Sequence, residues 1–339
     1  MVRIAGHAIL NGDIIGMPTE TVYGLAAHGL NPDALIQVFR AKERPLFDPL
    51  ILHIAPSMRS QLDKMGITQM SALSVAQRDQ AQLLMERFWP GPLTLVLPRG
   101  PKVPDLVTSG LDSVAIRMPN HPVAQHLIDA VGAPLAAPSA NRFGRISPTS
   151  AQDVMEELGS RIPYIIDGGP CEVGVESTVL AILPGHPPTL LRPGGIPPAE
   201  IEKILGEPVH RPSPEKATAS PLQSPGQLPS HYAPRTPLKV SDTILMLGAS
   251  IRPGTRVALL SMFTDPKTLQ KDLEARDLQV VASEQLSSHK SLEEAAQRLF
   301  ASLRKLDASG AQIILAEGIN DTSGLGLAIQ DRLQRAAAG

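Results

Sequence analysis

The sequence predicts an α/β protein in two parts: a mixed twisted sheet with helices packed on it over residues 1–206, and a small Rossmann-like α/β domain over residues 238–339, joined by a proline-rich linker at 207–237. Three observations carry this prediction. Short apolar runs in the first part are bounded by turn residues and interrupted irregularly by segments of helical period. Residues 207–237 hold eight prolines, few aliphatic residues and no periodicity, the composition of an extended linker. Beyond it strand-like and helix-like stretches alternate strictly, as a parallel sheet with crossover helices requires. With 339 residues, 42 % of them hydrophobic, the chain can build a core for each part.

In chain order, the runs "DIIGMPTETVYGLA", "PLILHI", "LTLVLP", "SVAIRMP", "PLAAPSA", "YIIDGG" and "STVLAIL" read as strands of the first part. Between them "NPDALIQVFRAKE", "HPVAQHLIDAVG" and "SAQDVMEELGSR" read as helices, because apolar residues recur every three or four positions and the starts carry suitable caps. Asn31 precedes Pro32-Asp33, Pro122 opens a helix where its missing N–H costs nothing, and Ser150 caps a third. The Arg44-Pro45 step ends the helix before it, since proline disfavours helical backbone in the preceding residue. In the tail, "RVALLSM", "LQVVAS" and "AQIILAEG" are strands, with "SLEEAAQRLFASLRKLDASG" and "LGLAIQDRLQRAA" among the helices that alternate with them.

Composition narrows the function. A formal net charge of -2 excludes a broadly basic nucleic-acid binder, leaving only local contact with RNA. The single cysteine, Cys171, can form neither an internal disulfide nor a cysteine zinc site and fits a reducing, cytoplasmic setting. His7, Asn11 and Asp13 break the N-terminal apolar stretch before a signal-length core forms, and no run reaches the length of a membrane span. The phosphate-binding P-loop, the kinase signatures, a nucleophile elbow and a helical histidine pair are all absent, and "SGLGLA" lacks the third glycine of a dinucleotide fingerprint.

What remains is a set of polar residues where a core would exclude them. Arg117 interrupts the strand run "SVAIRMP", and a buried guanidinium needs an anion, either an internal carboxylate or a substrate carboxylate held by both arms of the fork. Arg192 ends "TLLR" before a Pro-Gly-Gly turn. Ser139 and Asn141 sit at the mouth of a strand, where they fit either a turn with an Asx cap or ligands for phosphate and sugar oxygens, and Ser147 lies on the loop that follows. Residues 40–54, "RAKERPLFDPLILHI", place three cations within five residues ahead of a strand ending on His53.

Seven strings in register, "PTETVYGL", "KERP…DPLILHI", "FWPGPLTLVL", "VAIRMP", "APSAN…SPT", "DGG…GVESTV" and "LRPG", resemble the YrdC-like family, and "SPGQLPSHYAP" with an α/β tail is similar to its long form. The resemblance spans the chain nearly end to end, most closely over residues 5–200. It implies an enzyme that converts L-threonine, bicarbonate or CO2 and ATP into L-threonylcarbamoyladenylate, releasing pyrophosphate. Downstream tRNA threonylcarbamoyl-transferase proteins would then carry the group to the adenosine 3′ of the anticodon. The family's K-x-R…S-x-N signature stands here as Lys42, Arg44, Ser139 and Asn141. Carried over, Lys42 and Arg44 become catalytic cations. Arg44, Asp48, Ser113, Ser139, Asn141, Ser147 and Arg192 become ATP contacts, with Tyr232 of the linker folding over the nucleotide. Thr21, His53, Arg117, the Ala137 backbone and Ser177 would surround threonine.

The reaction suits these residue types. A carbamate formed from amine and CO2 needs no strong base, and its attack on the α-phosphorus needs positioning and cations. Mg2+ is expected with ATP, with Glu172 and Glu176 either its ligands or solvated loop carboxylates. The sequence departs from the family at Asp48, where Asn or His is usual. A carboxylate there repels a triphosphate unless a metal or Lys42 intervenes. Two other readings of the fold are an RNA-binding module, for which three tyrosines and one tryptophan give little stacking surface, and a carbamoyl-transfer relative of hydrogenase maturation, which carries zinc-finger and acylphosphatase segments upstream.

Overall fold

The computed structural model describes residues 1–211, 231–321 and 324–339, so most of the predicted linker lies outside the described residues. The chain divides into two units. The first comprises Met1–Phe143, Pro148–Glu172 and Glu176–Gln227, and the second Gly144–Ser147, Val173–Val175 and Leu228–Gly339.

The first unit runs α1 (Val2–Leu10), β1 (Ile15–Met17), β2 (Gly24–His28), α2 (Pro32–Lys42), β3 (Ile51–His53), α3 (Val75–Phe88), β4 (Leu93–Pro98), α4 (Asp105–Thr108), β5 (Ser113–Arg117), α5 (Pro122–Val131), β6 (Leu135–Ala136), α6 (Ala151–Leu158), β7 (Tyr164–Ile165), β8 (Thr178–Ala181), β9 (Thr189–Arg192) and α7 (Pro198–Leu205). Its nine strands form one mixed sheet in the order β7-β1-β2-β6-β3-β5-β4-β8-β9. The stretch expected as one strand, residues 13–26, is two antiparallel strands. Thr19 folds the segment between them, its hydroxyl donating to the Val22 carbonyl at 2.6 Å and accepting from the Val22 N–H at 3.3 Å, which draws the chain away from pairing.

Helix starts follow their caps. Asn31 accepts from the Asp33 N–H at 3.0 Å, and Ser150 and Asp153 form a reciprocal capping box. The α2 helix ends before proline acts on it: Glu43 takes a left-handed φ of 55°, and the Arg44 N–H turns back to the Phe39 carbonyl at 3.0 Å.

Strand alternation sorts the centre of the sheet into two faces. Leu52, Leu95, Ile116 and Leu180 point into the main core with residues of α1, α3, α5 and α7, while Ile51, Val96, Ala115, Val179 and Ala181 form a small apolar patch on the other face. On that second face the register places His53 opposite Arg117, Arg117 opposite Thr94, Thr94 opposite Val179, and Val179 opposite Arg192. This row crosses five strands, a span of about 19 Å. Arg192 joins it through an irregularity between Val179 and Leu180 in the β8–β9 pairing. One extra residue there restores Arg192 to the face that strict alternation from Leu190 would deny it.

The second unit has a four-stranded, all-parallel sheet in the order β10-β13-β11-β12, made of β10 (Leu238–Ser241), β11 (Arg256–Ser261), β12 (Gln279–Gln285) and β13 (Ile313–Glu317). Helices α8 (Ile244–Gly248), α9 (Pro266–Glu274), α10 (Leu292–Asp307) and α11 (Gly324–Ala337) alternate with the strands, which is the Rossmann-like pattern expected, with β10 as an added edge strand.

Gly194 closes the turn after β9. A Cβ there would lie 2.3 Å from both the Ser177 carbonyl carbon and the Thr178 nitrogen. Gly194→Ala is therefore expected to lower unfolding free energy by about 1–3 kcal/mol in urea denaturation. An unchanged midpoint would contradict this packing.

Candidate functional site

The polar row and the loops beside it, all within the first unit, hold most of the expected site residues. At one end stands Arg117, buried at 4 % exposure. Its Nη2 lies 2.7 Å from Glu20 Oε2, its Nη1 donates to the Thr21 hydroxyl at 2.8 Å, and its Nε donates to the Gly91 carbonyl at 3.3 Å. The internal carboxylate, one of the two partners open on sequence, is thus present and is Glu20. Beside Arg117, His53 donates from Nδ1 to the Ile51 carbonyl at 3.2 Å. Burial, and then the nearby Arg117 charge, push its pKa down to about 3, so the ring is neutral at ordinary pH. Ala137 spends its N–H on the Ile51 carbonyl at 3.1 Å, which sets the Ser139 loop against β3.

At the other end, Arg192 folds back over Ser177. Nε and Nη2 donate to the Ser177 carbonyl at 3.1 and 3.0 Å, and Nη2 also reaches the Ser177 hydroxyl at 3.1 Å. That hydroxyl is 2.7 Å from the Thr94 hydroxyl, so Ser177 joins two members of the row.

The loop after α2 adds a second buried ion pair. Arg44 Nη2 lies 2.9 Å from Asp48 Oδ2 and donates to the Pro49 carbonyl at 2.7 Å, while Nε donates to the Asp48 carbonyl at 3.2 Å. Neither Asp48 side-chain oxygen accepts a well-directed hydrogen bond, so the contact is a charge pairing more than a hydrogen bond. Burial raises the Asp48 pKa, against the pull of Arg44, Lys42 and Arg192. The repulsion expected of Asp48 is therefore met by three cations, Arg44 foremost. Lys42 itself points elsewhere: its ammonium donates to the carbonyls of Ser139 and Asn141, tying the Ser-x-Asn loop to the end of α2. Burial, then the Arg44 charge, hold the Lys42 pKa well below the usual range.

Ser113 lies on the same face as Arg117 but at the far end of β5, about 13 Å away along the strand. A ligand touching both must lie along that strand. Ser113 also lines an open cleft of about 1060 Å³ with Arg99, Asp112 and His186. Ser147 and Tyr232 belong to the second unit, where Tyr232 is fully buried, stacked on Phe300 with ring centroids 5.5 Å apart and 5.2 Å from the Arg332 guanidinium. Its φ of 65° is a backbone conformation that non-glycine residues seldom adopt. Glu172 is exposed and Glu176 is buried, and among the described residues no group of three or more side chains could hold a metal ion. Glu20 and Thr94 were not anticipated from the sequence. Glu20 carries the same signal as Arg117, a charge inside an apolar run, and Thr94 is the polar member of an otherwise apolar strand.

Residues 7–194 match the Sua5/YciO/YrdC family, described as "Telomere recombination", and residues 196–338 match a family described as "Threonylcarbamoyl-AMP synthase, C-terminal domain". The chain is 40 % identical over 343 residues to the threonylcarbamoyl-AMP synthase of Pyrococcus abyssi, covering 99 % of this chain and 94 % of that one. The Bacillus subtilis threonylcarbamoyl-AMP synthase is also 40 % identical, over 341 residues, with 99 % and 92 % covered. The crystal structure of P. abyssi Sua5 complexed with L-threonine superposes with a TM-score of 0.83 at 37 % identity, covering 99 % of this chain and 94 % of that one.

His53 supplies a pH signature. Between its native pKa of about 3 and the ordinary value of 6.5, the unfolded chain binds a proton that the native state does not, so stability falls as pH drops through this window. The slope is a little over 1 kcal/mol per pH unit. His53→Gln should flatten the stability curve between about pH 4 and 6 relative to the parent. Parallel curves in thermal or urea unfolding would contradict a neutral buried imidazole.

Proposed function

The chain belongs to the Sua5/YciO/YrdC family, and on that premise we propose that it converts L-threonine, bicarbonate or CO2 and ATP into L-threonylcarbamoyladenylate and pyrophosphate, the first step of tRNA N6-threonylcarbamoyladenosine formation. The observation that carries this reading is the segregation of charge at the site. The Arg117–Glu20 pair and neutral His53 leave one end without net charge, suited to an amino acid. Arg44, Lys42 and Arg192 all act on Asp48 at the other end, a group of basic side chains suited to a polyphosphate.

We place threonine at Thr21, His53, Arg117, Ala137 and Ser177. We place the nucleotide at Arg44, Arg192, Ser139 and Asn141, with Ser113 further along β5 and Asp48 as an additional contact. Lys42 acts by holding the Ser-x-Asn loop and by its charge. The amine nitrogen attacks CO2, forming the N–C bond and losing a proton to solvent. A carbamate oxygen then bonds the α-phosphorus while the bond to pyrophosphate breaks. Neutral His53 cannot take a proton near neutral pH, consistent with a reaction driven by alignment and charge rather than by a protein base. Mg2+ would come with the triphosphate and would offset phosphate charge. The described residues offer it no cage.

Residues 1–206 form the catalytic part in this reading, with 207–237 connecting it to the Rossmann-like part at 238–339. No helix among the described residues is long and apolar enough to cross a membrane. We place the reaction in the cytoplasm, where ATP and tRNA are available and tRNA threonylcarbamoyl-transferases would consume the adenylate.

Pyrophosphate release with Mg2+, ATP and bicarbonate should depend on L-threonine and coincide with the mass of the adenylate. Arg117→Ala should raise KM for threonine, and Arg192→Ala should raise KM for ATP the more, each by about tenfold or more. Threonine-independent pyrophosphate release would reject the reading.

A further inference from the structure

We infer that Glu20 recognises the α-ammonium group of the amino-acid substrate, making the Arg117–Glu20 pair a reader of zwitterions rather than an internal ion pair. This rests on the threonine-dependent reading above. Glu20 sits in the turn between β1 and β2, buried at 4 % exposure, and the Thr19 side chain fixes that turn. Among the described residues its ion-pair partner is Arg117, and neither of its oxygens accepts a directed hydrogen bond from them. A carboxylate offers about four acceptor sites, and burying one with none of them satisfied is uncommon in native proteins.

The missing donors match an ammonium group, which brings three. Arg117 complements it. Nε and one Nη1 hydrogen are committed to Gly91 and Thr21, while a guanidinium carries five N–H groups, so donors remain for a ligand carboxylate. Because Glu20 offsets the Arg117 charge and His53 is neutral, this end holds no excess positive charge to favour a simple carboxylate. A ligand carrying both charges satisfies both partners at once. Thr21, whose hydroxyl already contacts Arg117, lies directly beside the pair in the chain.

The test compares two ligands that differ only in the amine, L-threonine and 3-hydroxybutanoate, by calorimetric titration of the full-length protein. The parent protein should prefer threonine by about tenfold or more. In Glu20→Gln, threonine affinity should fall by a similar factor while 3-hydroxybutanoate binding stays the same or improves, collapsing the preference. Equal loss for both ligands would show that Glu20 only orients Arg117 and would overturn the assignment, as would an unchanged preference. The parent's own preference needs no variant, so a ratio near one in the parent protein overturns the inference even if Glu20→Gln fails to fold. A parent protein that binds threonine without that preference rejects this inference alone, whereas one that binds no threonine rejects the functional reading as well.

Discussion

A guanidinium removed from water must be given an anion, and the candidate site is organised by that requirement. Arg117 is held by Glu20 and Arg44 by Asp48, both pairs almost fully buried. Removing one partner from such a pair leaves an uncompensated charge at a cost of about 3–5 kcal/mol. The pairings also fix the local charge. Arg117 with Glu20 sums to nothing, whereas Asp48 is shared among Arg44, Lys42 and Arg192. The same interaction that allows these side chains to be buried therefore decides which end of the site can hold an anion.

The sheet turns those charges into a geometry. Register across β3, β5, β4, β8 and β9 lines up His53, Arg117, Thr94, Val179 and Arg192 on strands rather than loops, where their spacing is set by backbone hydrogen bonds. The loops then fill in around a fixed frame. Lys42 secures the Ser-x-Asn loop through its carbonyls, and Ser177 links Thr94 to Arg192. A polyphosphate reaction with little covalent work for the protein gains most from this kind of fixed alignment.

Much of this was legible in the sequence because local rules and global fold agree. The strand runs at 93–98 and 113–117, the capped helices α2, α5 and α6, and the alternating tail lie where period and caps place them. Arg117 stood out because a charge in a buried strand needs an explanation. What escaped depends on partners distant in sequence. The Glu20 that answers Arg117 is 97 positions away, and no period links them. The β8–β9 irregularity that aims Arg192 leaves no mark in the residues themselves. Lys42 reads as a surface cation at a helix end, yet its amine meets carbonyls about a hundred residues on. Helix α3 hid behind a polar sequence whose buried stripe is only Ala81, Leu84, Met85 and Phe88, and β10 is a short edge strand with only Leu238 buried.

Division of charge along one sheet face is best tested by a crystal structure of the protein with L-threonine and a non-hydrolysable ATP analogue. The threonine carboxylate is expected on Arg117 and the triphosphate among Arg44, Arg192 and the Ser139–Asn141 loop. Phosphate oxygens on Arg117, or threonine at the Arg44–Asp48 pair, would contradict it.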